Sequence, residues 1–177
     1  MNTSQKIGIS PREEKLWHLL EPTVLDCGLK LVCLRLVKRS GLILEVLVDG
    51  QNGKVGLEEC ATCSRRISRM MDVEDPITEA YTLEVSSPGL ERPLVTVDDL
   101  HAHAGKVVKI KLNGSMEVGP NTMRKLKGTL GSATDKALNL TTEDGHAVEV
   151  DLADIEDIHL VPSDDDFKQL LKAPLTK

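Results

Sequence analysis

Apolar residues near the N-terminus recur at helical spacing. Leu16, Leu19, Leu20 and Val24 follow Ser10-Pro11-Arg12-Glu13, which has the form of a capping box with proline at the first helical position. Gly28 supplies a stop, and Pro22 inside the run predicts a kink or restart. Leu29 to Lys38, rich in Leu and Val, reads as a strand. Leu42 to Asp49 alternates well enough to be its antiparallel partner, with Leu44, Val46 and Val48 on one face and Glu45 and Asp49 on the other. A second amphipathic helix is predicted from Leu57 to Asp72, turning Leu57, Cys60, Ala61, Ile67 and Met71 inward. Tyr81 to Ser86 is a third strand. The order α-β-β-α-β suits a three-stranded sheet covered by two helices.

Ser87-Pro88-Gly89 and Arg92-Pro93 make continuation of any regular element improbable. Beyond them the pattern turns to strands alone: Lys106–Leu112, Lys125–Gly131, Ala137–Thr142, Ala147–Asp151 and Ile155–Leu160. Asn113-Gly114, Thr134-Asp135 and Asp144-Gly145 are turn signals between them. Five short antiparallel strands are expected to curl into a small barrel, because closure removes exposed edges. The organisation expected is an N-terminal extension (1–12), an α+β domain (13–94), a β-barrel domain (95–162) and a tail (163–177), in which Asp166 to Lys172 has room for one or two helical turns.

Composition removes several classes. No stretch approaches the roughly 20 apolar residues that span a bilayer, and MNTSQKIGIS lacks a basic-then-apolar signal. A cytoplasmic protein that does not engage membranes is expected, its four cysteines reduced. The only aromatics are Trp17, Tyr81 and Phe167, so base-stacking platforms are nearly excluded.

Charge changes the picture more. The net charge is −6, yet Lys106 to Lys127 holds six cations and only Glu117 against them. These cations, Lys106, Lys109, Lys111, Arg124, Lys125 and Lys127, are the candidate phosphate contacts. Val108, Ile110 and Leu112 take one face of a strand while Lys109 and Lys111 take the other; Leu126 likewise opposes Lys125 and Lys127. Paired strands would put four lysines on one outer surface, at a cost in stability that binding an external polyanion would offset. Phosphate anchoring without base reading is the expectation.

Cys60-Ala61-Thr62-Cys63 has the CxxC form of redox and zinc sites. Its spacing places both cysteines on the apolar helical stripe, where core packing accounts for them better, and Cys27 and Cys33 supply no second CxxC. Gly50-Gln51-Asn52-Gly53 has the shape of a KH loop but reads as a connecting turn. The histidines His18, His101, His103, His146 and His159 form no nucleophilic or metal-ligating pattern, and no Walker or Rossmann fingerprint occurs. No enzyme activity, metal or cofactor is expected.

The run Leu83-Glu84-Val85-Ser86-Ser87-Pro88-Gly89-Leu90-Glu91-Arg92-Pro93-Leu94 resembles the inter-domain signature of the RimP ribosome maturation factors. Leu57-Glu58-Glu59-Cys60, Ser64-Arg65 and Met71-Asp72-Val73-Glu74-Asp75-Pro76-Ile77 resemble that family's second helix and its exit. Gly105-Lys106-Val107-Val108-Lys109-Ile110 and Leu126-Lys127-Gly128-Thr129-Leu130 resemble the opening strands of its C-terminal domain. The chain departs from many members at Leu100, Ala102, His103 and Leu126, where aromatics or an arginine are frequent.

The resemblance implies an Sm-like C-terminal barrel and a non-enzymatic factor for maturation of the small ribosomal subunit. Its implied partners are the precursor subunit, a basic small-subunit ribosomal protein and nearby ribosomal RNA. Ser86, Ser87, Pro88, Gly89, Leu90, Glu91, Arg92 and Pro93 become docking candidates on the same ground. A monomer is expected, since the barrel carries an extra domain. A general Sm-like RNA-binding regulator is the alternative, and would require tight binding to free single-stranded RNA.

Overall fold

The computed structural model describes residues 6–172. The chain divides into two compact units, Ile9–Pro88 and a second formed by Gly89 onward together with the residues up to Gly8.

In the first unit, helix α1 (Pro11–Asp26) starts at the expected capping box. The Glu13 carboxylate accepts the Ser10 N–H at 2.8 Å with one oxygen and the Leu36 N–H at 2.8 Å with the other, so one side chain caps the helix and ties it to the sheet. The helix runs through Pro22 without a restart. The buried stripe Leu16, Leu20 and Val24 continues across the proline, so packing offsets the backbone hydrogen bond that it forfeits. Strands β1 (Leu29–Lys38) and β2 (Leu42–Gly50) pair antiparallel, and β3 (Tyr81–Ser86) joins β2 in parallel, giving the order β1-β2-β3. Helix α2 (Leu57–Glu74) makes the crossover that a parallel pairing needs. It buries Cys60, Cys63, Ile67 and Met71.

Two residues expected inward are not. Leu57 is 91% exposed and Ala61 is exposed. Leu57 is the first residue of α2 and the buried stripe begins at Cys60, while Ala61 falls off the arc that Cys60, Cys63 and Ile67 define. Asp49 is buried rather than displayed, with one carboxylate oxygen accepting the Gly50 N–H at 3.0 Å.

The second unit begins with a short helix, α3 (Val97–Ala102), which the hydrophobic pattern did not disclose. Strands β4 (Val107–Val118), β5 (Asn121–Ala133), β6 (Ala137–Thr142), β7 (Ala147–Asp151) and β8 (Ile155–Leu160) follow. All pairings are antiparallel, in the order β7-β6-β5-β4-β8. A short 3-10 turn (Leu152–Asp154) links β7 to β8, and helix α4 (Asp164–Lys172) follows β8. The core gathers Leu94, Leu100, Val108, Ile110, Leu126, Leu130, Leu138, Leu140 and Ile158, with Ile7 added from the N-terminal side. The Ile7 N–H donates to the Val95 carbonyl at 2.7 Å. Leu100 and Leu126, two of the departures from the family pattern, are both core residues.

Two expectations are corrected here. The five strands form an open sheet, because β7 and β8 are its edges and do not pair. Leu160 N–H bonds the Arg92 carbonyl at 3.0 Å and Leu94 N–H bonds the Ile158 carbonyl at 3.0 Å, so the outer edge of β8 is taken by residues 92–94 rather than by β7. Asn113-Gly114 is no turn either. It lies inside β4 where the register with β5 slips between Lys111 and Met116, and the chain reverses at Gly119-Pro120. The extra residues are absorbed as a bulge. Residues 1–5 of the extension and 173–177 of the tail lie outside the described residues.

Candidate nucleic-acid interface

The lysine face grows out of strand alternation. In β4, Val108, Ile110 and Leu112 are buried, and Lys109 and Lys111 point to the opposite side. In β5, Leu126, Gly128 and Leu130 turn inward while Lys125, Lys127 and Thr129 are exposed. Pairing puts Lys109 directly across from Lys127 and Lys111 across from Lys125. On the other flank β8 sets His159 beside Lys109 and Asp157 beside Lys111.

Gly128 makes this packing possible. A Cβ there would come within 2.3 Å of the Thr141 carbonyl oxygen on β6, so only glycine lets the two backbones approach so closely.

Carboxylates offset part of the cationic charge. Lys111 Nζ is 3.0 Å from Glu156 Oε1, and Arg124 Nη2 is 3.3 Å from Glu156 Oε2. Lys127 Nζ is 2.9 Å from Glu143. Hydrogen bonding to Lys111, followed by its charge and by Arg124, holds the Glu156 carboxyl below its usual range. Arg124 also donates from Nε to the Leu112 carbonyl at 3.0 Å, which fixes its guanidinium beside the bulge. Lys109 and Lys125 have no ion pair among the described residues. The face therefore holds two unneutralised ammonium groups flanked by two engaged ones.

Lys106 stands apart from this group, in the turn before β4 and near Asp166 at the start of α4. Ser163 backbone and hydroxyl bonds lower the Asp166 carboxyl, and Lys106 adds a smaller electrostatic contribution.

The inter-domain run divides at the unit boundary. Ser86 ends β3, Ser87 and Pro88 close the first unit, and Gly89 opens the second. Gly89 sits at φ 69°, a left-handed conformation that side chains resist. Pro93 bridges His159. Glu91 is exposed, whereas Leu90 and Arg92 are half-buried.

Cys33, Cys60 and Cys63 are buried in the first unit, and Cys27 is half-buried. Burial, with Cys27 beside it, pushes the Cys63 thiol up to about 12, and burial also raises Cys60. Such thiols stay protonated at neutral pH, opposite to what a nucleophilic thiolate requires. Among the described residues no group of His, Cys, Asp and Glu converges in metal-binding geometry. The Gly50–Gly53 loop is a connecting turn closed by Gly53 N–H to the Gly50 carbonyl at 2.9 Å. No helix of the described residues is long and apolar enough to cross a membrane.

Comparison with known families decides the first unit. Residues 19–91 match the model of the RimP N-terminal domain. The chain carries a RimP N-terminal domain. The match spans the C-terminal half of α1, the whole β1-β2-β3 sheet, α2 and the inter-domain run as far as Glu91. The RimP resemblance is thus borne out where Leu57–Cys60, Met71–Ile77 and Leu83–Glu91 lie, and it supports a family of ribosome maturation factors. The lysine strands lie beyond the matched residues.

Sequence reasoning missed the carboxylates that share the face. Glu143 and Glu156 lie outside the basic segment, and only strand order brings them to it.

Proposed function

We propose that this protein is a non-catalytic, cytoplasmic ribosome maturation factor that binds the precursor small ribosomal subunit. In this reading the C-terminal unit is Sm-like, its lysine face contacts ribosomal RNA phosphates, and acidic surfaces elsewhere meet a basic small-subunit ribosomal protein. The inter-domain residues Ser86 to Pro93 contribute to docking. The observation that carries the reading is the pairing of Lys109 with Lys127 and Lys111 with Lys125 on one exposed face. Like charges directly opposite destabilise a sheet, and counterion-releasing contact with a polyanion offsets that cost on binding.

Such a factor accelerates maturation by preferring one arrangement of RNA and protein, since a ligand shifts an equilibrium only through differential affinity. Complementary potentials speed encounter and fix orientation.

The test is co-sedimentation of the purified chain with precursor small-subunit particles across a salt series. If three phosphate contacts form, raising salt from about 50 to 200 mM weakens binding by about tenfold to fortyfold. Replacing Lys109, Lys111, Lys125 and Lys127 by Gln flattens that dependence. An unchanged slope removes the phosphate contacts, and failure to co-sediment at low salt removes the assembly role. Tight binding to free single-stranded RNA in place of particles would favour a general RNA regulator.

A further inference from the structure

Among the described residues, β7 is an edge strand of the C-terminal sheet, paired only to β6. Two hydrogen bonds set the phase of that ladder: Thr142 N–H to the His146 carbonyl at 2.9 Å and Leu152 N–H to the Lys136 carbonyl at 2.8 Å. Alternation then turns the backbone groups of Val148 and Val150 toward β6, and those of Ala147, Glu149 and Asp151 away from it. Beside this free edge lies a cavity of about 390 Å³ lined by Leu112, Ser115 and Met116 of β4 and by Glu149, Asp151 and Asp154. The β4 wall is the stretch that leaves the β4–β5 register between Lys111 and Met116.

We propose that this seam receives an extended basic segment of a partner polypeptide, added as a strand along β7. An unpaired strand edge presents donors and acceptors at the spacing of an extended backbone, which neither a helix nor a folded surface matches. Alternate side chains of the added strand meet different walls. One set reaches the carboxylates of Glu149, Asp151 and Asp154, none of which has an ion pair among the described residues. The other set meets half-buried Met116, beside which buried Leu112 completes the cavity lining. A strand alternating Lys or Arg with small apolar residues fits both.

Charge separates this occupant from the alternatives. Nucleic acid phosphate would meet three carboxylates. A second copy pairing through the same edge would bring Glu149 and Asp151 against their own counterparts, a like-charge arrangement that costs stability. The proposal supplies a docking mode for the basic protein partner suggested above, and rests on that reading only for the partner's source. The lysine face is a different surface, so a negative result at either leaves the other to be judged on its own test.

The experiment uses the full chain and a synthetic peptide alternating lysine and valine, with a glutamate–valine peptide as control. Amide hydrogen exchange is followed by mass spectrometry and binding by fluorescence anisotropy at low salt. The lysine peptide binds and slows exchange at Glu149 and Asp151, and the glutamate peptide does neither. Glu149→Pro removes one outward N–H at an edge position where proline is tolerated, together with the carboxylate, and weakens binding about fivefold to tenfold beyond the loss of charge alone, the net worth of one hydrogen bond. Glu149→Gln, which keeps that N–H, loses less. Unprotected β7 amides in the natural chain with peptide bound would overturn the proposal, independently of whether the proline variant folds. So would protection of β7 that rises with protein concentration without peptide, which would give the edge to a second copy.

Discussion

Strand β2 of the first unit and strands β4 and β5 of the second alternate buried and outward residues, and they use the outward faces differently. In the first, β2 buries Leu44, Val46 and Val48, while its other face carries Ile43 and Leu47, half-buried, and Glu45 in an ion pair with Arg39 at 3.7 Å. In the second, the outward positions of β4 and β5 are lysines at register-matched sites. Both inner faces are aliphatic cores. The contrast teaches that core formation and display are separable: alternation guarantees one buried row, and whatever the opposite row carries is free to serve binding.

The largest test of this view removes core volume from each unit. Leu20→Ala in α1 and Ile110→Ala in β4, both almost completely buried, should each cost about 2–5 kcal/mol in urea unfolding. A loss well under 1 kcal/mol at Ile110 would mean that the open sheet has no true core, and the comparison would break.

A smaller effect separates the hairpins. Gly128→Val, whose Cβ meets the Thr141 backbone, should destabilise by about 1–3 kcal/mol. Gly41→Ala at the β1–β2 turn has nothing within 4 Å of its Cβ and should stay within about 0.5 kcal/mol. Equal effects would show that β5 and β6 do not approach as described.

The smallest effect sharpens the surface electrostatics. In the first unit Arg12 holds Glu79 through two bonds, 3.1 and 2.6 Å, and its hydrogen bonding brings the Glu79 carboxyl down to about 2. A carboxyl lowered on folding contributes stability above its unfolded pKa, near 4.3, and loses it as pH falls through the folded value. Thermal unfolding of Arg12→Gln against the natural chain should therefore show a small, constant deficit from neutral pH to about 5. The deficit should shrink as pH falls toward 2. A deficit that grew on acidification would reverse the assignment.

Much of the first unit is legible in the sequence alone. The capping box at Ser10–Glu13, the strand limits of β1 and β3, and the apolar stripe of α2 are signals contained within a few residues. Leu57 and Ala61 were misread because a periodic pattern says which residues share an arc, and not where the neighbouring sheet ends. Asn113-Gly114 was misread for a related reason: the dipeptide favours a turn locally, but the pairing of Met116 with Met123 and Val118 with Asn121 carries the hairpin past it.

For the candidate interface, the four lysines and their common face followed from period-two alternation. Their pairing partners, the neutralising Glu143 and Glu156, and the remoteness of Lys106 did not. By itself the sequence determined most of the elements, the cap of α1, the unit order and the row on which Lys109, Lys111, Lys125 and Lys127 stand, because each depends on contacts within about one turn or one strand. Helix α3 and the extension of β4 past Leu112 were not among them. Tertiary structure alone decided the parallel entry of β3, the register across β4 and β5, and which edge of the sheet stays open. Those choices turn on which distant backbones pair, and residues 92–94 pair with β8 where β7 does not.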